Sequence, residues 1–475
     1  MSRTSLRSFI QRIHFYGGMF VSSFILVAAL TGCLYVVAPT VEKVMYDDVI
    51  TVPAVSNPVN LEQQVQAAQR AHPGLAVSQV WPADKETDST RVLLSDPSID
   101  EAQDRAIFVD PANGQVIGDE PTYSGLGELP VRYWISQLHK NLHMGKVGEL
   151  YSELAASWMW LLALGGAYLW WLRWSAQRVR KNRPSPRAGR GSQRLKFLRL
   201  HGVLGTWLLV AMLALSATGI TWSLYAGNNV TKVVDSMQWT ATPIDTALGT
   251  GEAESGEGHH HDNHAPAGKG EELSEHARAM LVNISAQQAD TVYATGRAEG
   301  LTASLRLYPP SDLNSGWKVS ERWIPWRLTS DEVSVDGSTG TVIARQPFSS
   351  LPLFSKLTSW GIYLHMGILF GLPLQILLLL TGLGIAVMTI LGYLMWWKRR
   401  PSFAPGTAQQ FSWSTTCLGL LFVATVGVFL PTLGVTLLLL LIVDVLVMHR
   451  KKVRSPRLTF TGKTSKKQPV EESFS

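Results

Sequence analysis

Six apolar stretches, at residues 15–39, 152–173, 198–223, 361–397, 413–429 and 432–448, interrupt an otherwise polar chain of 475 residues. Four of them, with their aromatic flanks, are long enough to cross a hydrocarbon layer of roughly 30 Å as helices of about 20 residues. A single soluble domain has no core able to take up so much contiguous apolar surface, so the chain is expected to be a polytopic α-helical membrane protein. The last two stretches are shorter and meet at Pro431, which fits either a re-entrant hairpin or two spans. The charges favour two, six transmembrane helices in total.

The formal charge is +6, and its placement says more than its sum. Arg3, Arg7 and Arg12 precede the first stretch, and eight basic residues from Arg178 to Lys196 separate the second from the third. Lys398, Arg399 and Arg400 follow the fourth; Arg450, Lys451, Lys452 and Arg454 follow the sixth. If every stretch spans, all of these fall on one side, which is the positive-inside pattern and puts both termini in the cytoplasm. The basic balance therefore reports orientation and gives no reason to invoke nucleic acid. The expected order is 1–40 with the first helix, 41–150 exported, 151–174 the second helix, 175–197 a basic loop and 198–223 the third. Then come 224–360 exported, 361–397 the fourth helix, 398–412 a cytoplasmic loop, 413–449 the fifth and sixth, and 450–475 a basic tail.

The two cysteines, Cys33 and Cys417, both lie in apolar stretches, so neither exported unit is expected to be held by disulfides. Leu30-Thr31-Gly32-Cys33 also resembles a lipoprotein cleavage site. The same pattern without cysteine recurs deeper in the chain, however, which argues for a structural reading.

That recurrence belongs to an internal repeat. His14 is followed by Gly18 and then by Thr31-Gly32; His201 is followed at the same distances by Gly205 and Thr218-Gly219. Asp110-Pro-Ala-Asn-Gly114 matches Asp336-Gly-Ser-Thr-Gly340, each a turn between strands. Leu142-His143-Met144-Gly145 matches Leu364-His365-Met366-Gly367. The expected fold is a duplicated unit of helix, exported α+β domain and helix, with a helix pair added at the C-terminus. In the first exported domain a helix is expected over 60–70, capped by Asn60, then strands Leu75–Val80, Arg91–Leu94 and Ala106–Val109. The second has Ser285–Ala294 as its helix and Leu301–Leu307, Gly316–Val319 and Glu332–Val335 as strands. The Gly-, Glu- and His-rich stretch 248–272 reads as a disordered insert, and its histidines as a weak metal-binding tract at most.

The repeat places one histidine pair, His14 and His201, near the inner face and a second, His143 and His365, near the outer face. Paired imidazoles buried among apolar helices suit haem iron, which takes axial ligands from both sides of the ring. Glycines one turn away, Gly18, Gly205, Gly145 and Gly367, would let a flat macrocycle approach the backbone, although small-residue helix packing uses glycine too. His139 competes with His143: it stands four residues earlier, on the same face of a helix over 131–142, and would serve as ligand, propionate partner or substrate contact. The Leu-His-Met-Gly match favours His143. Zinc is disfavoured because no Cys, Asp or Glu clusters beside these histidines.

No G-x-G-x-x-G motif follows a strand and no P-loop is present, so an electron donor would be a separate protein, a quinol or a diffusible reductant. Arg322, Trp323, Trp326 and Arg327, with Arg132 in the first half, form an aromatic and basic patch. It suits either an anionic metal chelate or an interfacial belt.

These motifs resemble the PepSY-associated transmembrane family, the iron-regulated membrane proteins, and particularly its ferric-siderophore reductases. The resemblance rests on Arg12-x-His14 with Gly18 and Thr31-Gly32, the Asp-Pro-x-x-Gly segment from Asp110, the Leu-His elements at His139, His143 and His365, and Leu200-His201-Gly202 with Gly205. It spans residues 8–400. It implies a bacterial inner-membrane oxidoreductase with two haem b groups, which reduces ferric iron held by a periplasmic siderophore or other chelate and so aids iron release. The segment 41–150 is then a periplasmic PepSY-like domain. His14, His201, His143 and His365 would be axial ligands, with His139 less secure. The other function classes that fit membrane histidines and repeats are a transporter for a metal or its chelate, and a haem-free regulatory or binding protein.

Overall fold

The structure, a computed structural model, describes residues 3–123, 125–180, 193–249, 275–398 and 413–454. The histidine tract from His259 to His264, the basic residues 181–192 and the tail from 455 lie outside the described residues.

The N-terminal stretch forms two helices, α1 (Arg3–Phe20) and α2 (Ser22–Met45), which meet at Val21. The hydrogen bonds Val21 N–H to Gly17 and Ile25 N–H to Val21 carry the ladder across the joint. A short α3 (Asp47–Ile50) leads to α4 (Leu61–Ala71), whose first turn is capped by the Asn60 side chain accepting from Gln63 N–H at 3.0 Å. Strands β1 (Ala76–Trp81), β2 (Thr90–Ser95), β3 (Gln103–Asp110) and β4 (Gln115–Tyr123) follow. Helices α5 (Pro130–Asn141) and α6 (Gly145–Arg180) return along the bundle, and α7 (Gln193–Thr221) runs back.

The second half has α8 (Ala226–Ser236), α9 (Glu275–Gln287) and α10 (Ala289–Ala298), then β5 (Leu305–Tyr308), β6 (Trp317–Glu321), β7 (Glu332–Val335) and β8 (Val342–Gln346). The apolar stretch expected as one helix over 361–397 is two: α11 (Leu353–His365) and α12 (Leu372–Trp397), separated by a turn containing Gly367 and Gly371, both with positive φ. Helices α13 (Trp413–Phe429) and α14 (Pro431–Arg454) end the described chain.

Among the described residues four helices are long and apolar enough to cross a membrane: α2, the Gly145–Arg178 stretch of α6, α7 and α12. The protein is therefore a membrane protein with an antiparallel sheet domain at one end of its helices. In the bundle, Val21 and Ile25 pack with Trp158 and Leu162 of α6, Met212 of α7, Ile385 of α12 and Leu433 and Leu437 of α14. Cys33 is a buried thiol in the middle of α2, beside the Leu379 carbonyl and Gly382.

The sheet corrects the expectation of two separate exported domains. All eight strands form a single antiparallel sheet in the order β4-β3-β2-β1-β5-β6-β7-β8, so the first strand of each half pairs with the other at Val80 and Leu307. β4 and β8, which carry mixed polar residues, complete the edges. One face is covered by α4, α9 and α10 over a core containing Val80, Val92, Ile107, Leu307, Trp317 and Val319. The other face carries Trp81, Leu93 and Phe108, which pack with Val49 and Leu129 from the helix ends. The two matching turns share their hydrogen bonds: Gly114 N–H donates to the Asp110 carbonyl at 2.9 Å, and Gly340 N–H to that of Asp336 at 2.8 Å. Both glycines have φ 72°, and each turn follows a register shift in the strand before it.

Asp290 of α10 clasps the two halves together. Its carboxylate accepts from Leu61 N–H at 2.8 Å and Glu62 N–H at 2.9 Å, two unpaired donors at the start of α4. Asp290→Ala is expected to lower stability by about 1–3 kcal/mol, measured as a shift in the unfolding midpoint. A shift of a few tenths would mean that water replaces the carboxylate freely.

Candidate functional site

The histidines singled out by the repeat sit in two groups, one at each end of the bundle. At the end away from the sheet, His14 of α1 faces His201 of α7, with ring centroids 6.4 Å apart and planes at 82°. At the sheet end, His139 of α5 faces His365 of α11, again at 6.4 Å, with planes at 47°. His14 and Thr31 are seventeen residues apart, as are His201 and Thr218, so the groups are separated by about 26 Å along the helices.

The partner of His365 is thus His139, whereas the four-residue identity favoured His143. The reason is local. Helix α5 ends at Asn141, and Leu142 and His143 both take positive φ, 53° and 56°, so His143 lies beyond the cap and off the helical face. It is exposed and packs on Trp134 at 4.8 Å. His365, by contrast, is the last residue of α11. His139 in the last turn of α5 is its counterpart in the fold, although not in the sequence match.

Hydrogen bonds hold the ring orientations. Thr31 Oγ lies 2.9 Å from the Val27 carbonyl, to which it donates, and 3.0 Å from His139 Nδ1. Thr218 repeats the arrangement with the Ala214 carbonyl at 2.9 Å and His365 Nδ1 at 2.7 Å. A hydroxyl that gives its only proton to a carbonyl accepts from the imidazole, so Nδ1 carries the proton and Nε2 keeps a free lone pair. His201 Nδ1 is 2.9 Å from the Met388 carbonyl, which can only accept, and the same tautomer follows. His14 Nδ1 is buried without a hydrogen-bond partner. The sequence showed Thr-Gly as a repeated pair; its seventeen-residue spacing from each histidine was the signal that threonine holds the opposite group.

Glycines lie against three of the rings. A Cβ on Gly32 would stand 3.2 Å from His139, on Gly166 3.0 Å from His14 and on Gly392 3.9 Å from His201. Of those expected from sequence, Gly18 and Gly205 line a cavity of about 780 Å³ that also contains His14, His201, Gly166, Gly202 and Gly392. Arg7, Arg173 and Arg194 line it as well. Gly145 and Gly367 serve instead as positive-φ turn residues beside α6 and before α12.

The five residues expected to meet substrate have different surroundings. Arg132 is buried between Glu128 (3.3 Å) and Glu42 (3.9 Å), and Tyr35, which stacks on His139, donates to Glu128 at 2.7 Å. Burial pushes the Glu128 carboxyl up while Arg132 pulls it down, with burial prevailing. Arg327 pairs with Glu321. Trp323 stacks on Tyr363 at 4.6 Å, and Trp326 is exposed, with its backbone N–H donating to the Leu369 carbonyl at 2.8 Å. Arg322 alone of the three arginines has no carboxylate in contact, and its Nε is buried without a partner. Among the described residues no group of three or more His, Cys, Asp or Glu converges.

A membrane bundle with a sheet at one end and a facing histidine pair near each end is the class these features define. The chain belongs to the PepSY-associated TM region family, whose match covers residues 11–399 and so includes all four facing histidines and every strand. No curated protein matches the sequence significantly.

Proposed function

We propose that this protein is a di-haem oxidoreductase of the inner membrane, which delivers electrons from a cytoplasmic or quinol donor to ferric iron in a periplasmic siderophore or chelate. The observation that carries this reading is the spacing of the two pairs. Two imidazoles bonded through nitrogen to one metal ion from opposite sides have ring centroids about 6.3 Å apart, and both pairs stand at 6.4 Å. The residues fit the group: the Nε2 lone pairs of His139, His365 and His201 are free, glycine backbones leave room beside the rings, and the 780 Å³ cavity at the inner pair has three arginines for propionates. His14 and His201 would hold the inner haem b, His139 and His365 the outer one. Bis-imidazole haem iron supplies one-electron chemistry at a potential tuned by its ligands and their hydrogen bonds. Thr31, Thr218 and the Met388 carbonyl fix the ligand tautomers, and the surrounding apolar helices exclude water.

The duplicated reading is part of the proposal: α1 and α2 correspond to α7, the two four-stranded halves to each other, and α5 with α6 to α11 with α12. Six spans are also favoured. Thr432 meets Glu153 at 3.1 Å and Asp444 meets Arg12 at 3.0 Å, so α14 advances about 18 Å along the bundle between these contacts. Positive-inside charge then sets both termini in the cytoplasm and the sheet in the periplasm.

The test is a reduced-minus-oxidised spectrum of the purified chain with haem counted per polypeptide, followed by addition of a ferric siderophore. Two b-type haems that reoxidise on addition support the reading; intact protein without haem from haem-replete cells overturns it. Thr31→Val and Thr218→Val each remove the acceptor from one ligand Nδ1–H, and each is expected to weaken retention of the outer haem about 10–100-fold, followed by haem loss to an acceptor protein. Unchanged loss rates would show that packing alone orients the rings.

A further inference from the structure

Three arginines from different strands and loops converge on one indole. The guanidinium of Arg91 in β2 lies 5.6 Å from the Trp81 ring centroid, that of Arg306 in β5 at 4.5 Å, and that of Arg322, just after β6, at 4.2 Å. Like charges do not gather at a half-buried site without compensation. Arg91 and Arg306 donate to the Gly127 and Gly125 carbonyls at 3.1 and 2.7 Å, which are neutral acceptors. Among the described residues none of the three has a carboxylate within ion-pair distance. The acidic groups whose charge reaches the cluster stand beyond ion-pair distance and have other partners: Asp84 accepts from Ser304 Oγ at 2.8 Å and pairs with Arg297 at 3.6 Å, Asp88 accepts from Lys85 N–H at 3.3 Å, and Glu42 accepts from Leu129 N–H at 2.7 Å beside Arg132. Both Arg306 Nε and Arg322 Nε are buried donors without partners. Burial and the neighbouring guanidiniums draw Arg322 down to about 9, against the opposing pull of the more distant Asp84 and Asp88.

The cluster also lies near the helix that carries His365. The charges of Arg306 and Arg322 reach Tyr363, which stacks on Trp323 and stands two residues before His365 in α11. All three arginines are partly open to solvent. We propose that Arg91, Arg306 and Arg322 around Trp81 form a binding site for a small organic anion bearing two or more carboxylates. Guanidinium forks match carboxylates in shape and charge, and the buried indole of Trp81 beneath them holds the three side chains together. Taken with the function proposed above, on which this assignment rests, the ligand is a polycarboxylate ferric chelate.

The experiment is calorimetric titration of the full chain in nanodiscs with metal-free citrate, with inorganic phosphate as a second probe and haem counted in every sample. Saturable citrate binding is expected, weakened at least tenfold in Arg322→Gln and partly restored in Arg322→Lys, with phosphate weaker and haem content unchanged. Arg322 makes no side-chain hydrogen bond among the described residues, so the unfolding midpoint of this variant should match that of the parent chain. Absence of citrate binding, equal binding in Arg322→Gln, or phosphate binding as tightly as citrate overturns the site. Loss of haem in Arg322→Gln also overturns it, because the arginine would then be holding a propionate. A haem-free chain that still binds citrate through Arg322 would refute the oxidoreductase reading and leave the anion site standing.

Discussion

Replacing His139 or His365 by alanine is expected to halve the haem bound by the purified chain and to remove the same spectral component in each case. Replacing His14 or His201 should remove the other component, and His143→Ala should leave both. The reasoning is geometric: each facing pair stands at 6.4 Å, and if each pair holds one haem, losing either imidazole would remove one of the two protein ligands that retain it. His143 is exposed beyond the end of α5 and packs on Trp134, so its loss should cost only that contact. Pyridine haemochrome counting together with low-temperature spectra separates the cases. Loss of a haem from His143→Ala with retention in His139→Ala would mean that the end of α5 rearranges around the cofactor.

This pair of histidines also marks the limit of what was legible from the chain. The membrane class, the facing of His14 and His201, and the two matching turns at Asp110 and Asp336 all follow from local patterns: apolar length, helical spacing and turn chemistry. The partner of His365 does not. It depends on where α5 stops, and α5 stops because Leu142 turns left-handed, a conformation that leucine gives no warning of. A four-residue identity aligned the chain correctly as a string and incorrectly as a fold. The single sheet was hidden for a similar reason. The pairing of β1 with β5 joins residues more than two hundred positions apart, and strand edges carry no label for their partner. The arginine site is a consequence of that pairing, since Trp81 and Arg306 come together only when the halves share a sheet. Arg322 was visible as part of a basic and aromatic run; its lack of a carboxylate, which separates it from Arg132 and Arg327, required the tertiary structure.

Asp444→Ala should be among the most destabilising single changes outside the histidines. Asp444 of α14 accepts from Arg12 Nε at 3.0 Å and from Tyr16 OH at 3.0 Å, with the two charged side chains only 5% and 13% exposed. Removing the carboxylate strips a buried guanidinium of its anionic partner, which costs about 3–5 kcal/mol, whereas replacing both members by apolar residues of similar volume often restores stability. The single variant should therefore unfold well below the parent in detergent, and Arg12→Met combined with Asp444→Leu should recover most of the difference. Trp158 Nε1 donating to Thr436 at 2.8 Å, and Thr432 donating to Glu153, hold the rest of α14 against α6, so the helix should loosen at one end without leaving the bundle. Because Arg12 is two residues from His14, the single variant should also broaden the signal assigned to the inner pair while leaving that of the outer pair unchanged. Equal effects on both pairs would indicate general unfolding, and a stable Asp444→Ala would show that water or lipid headgroups reach Arg12 at that depth.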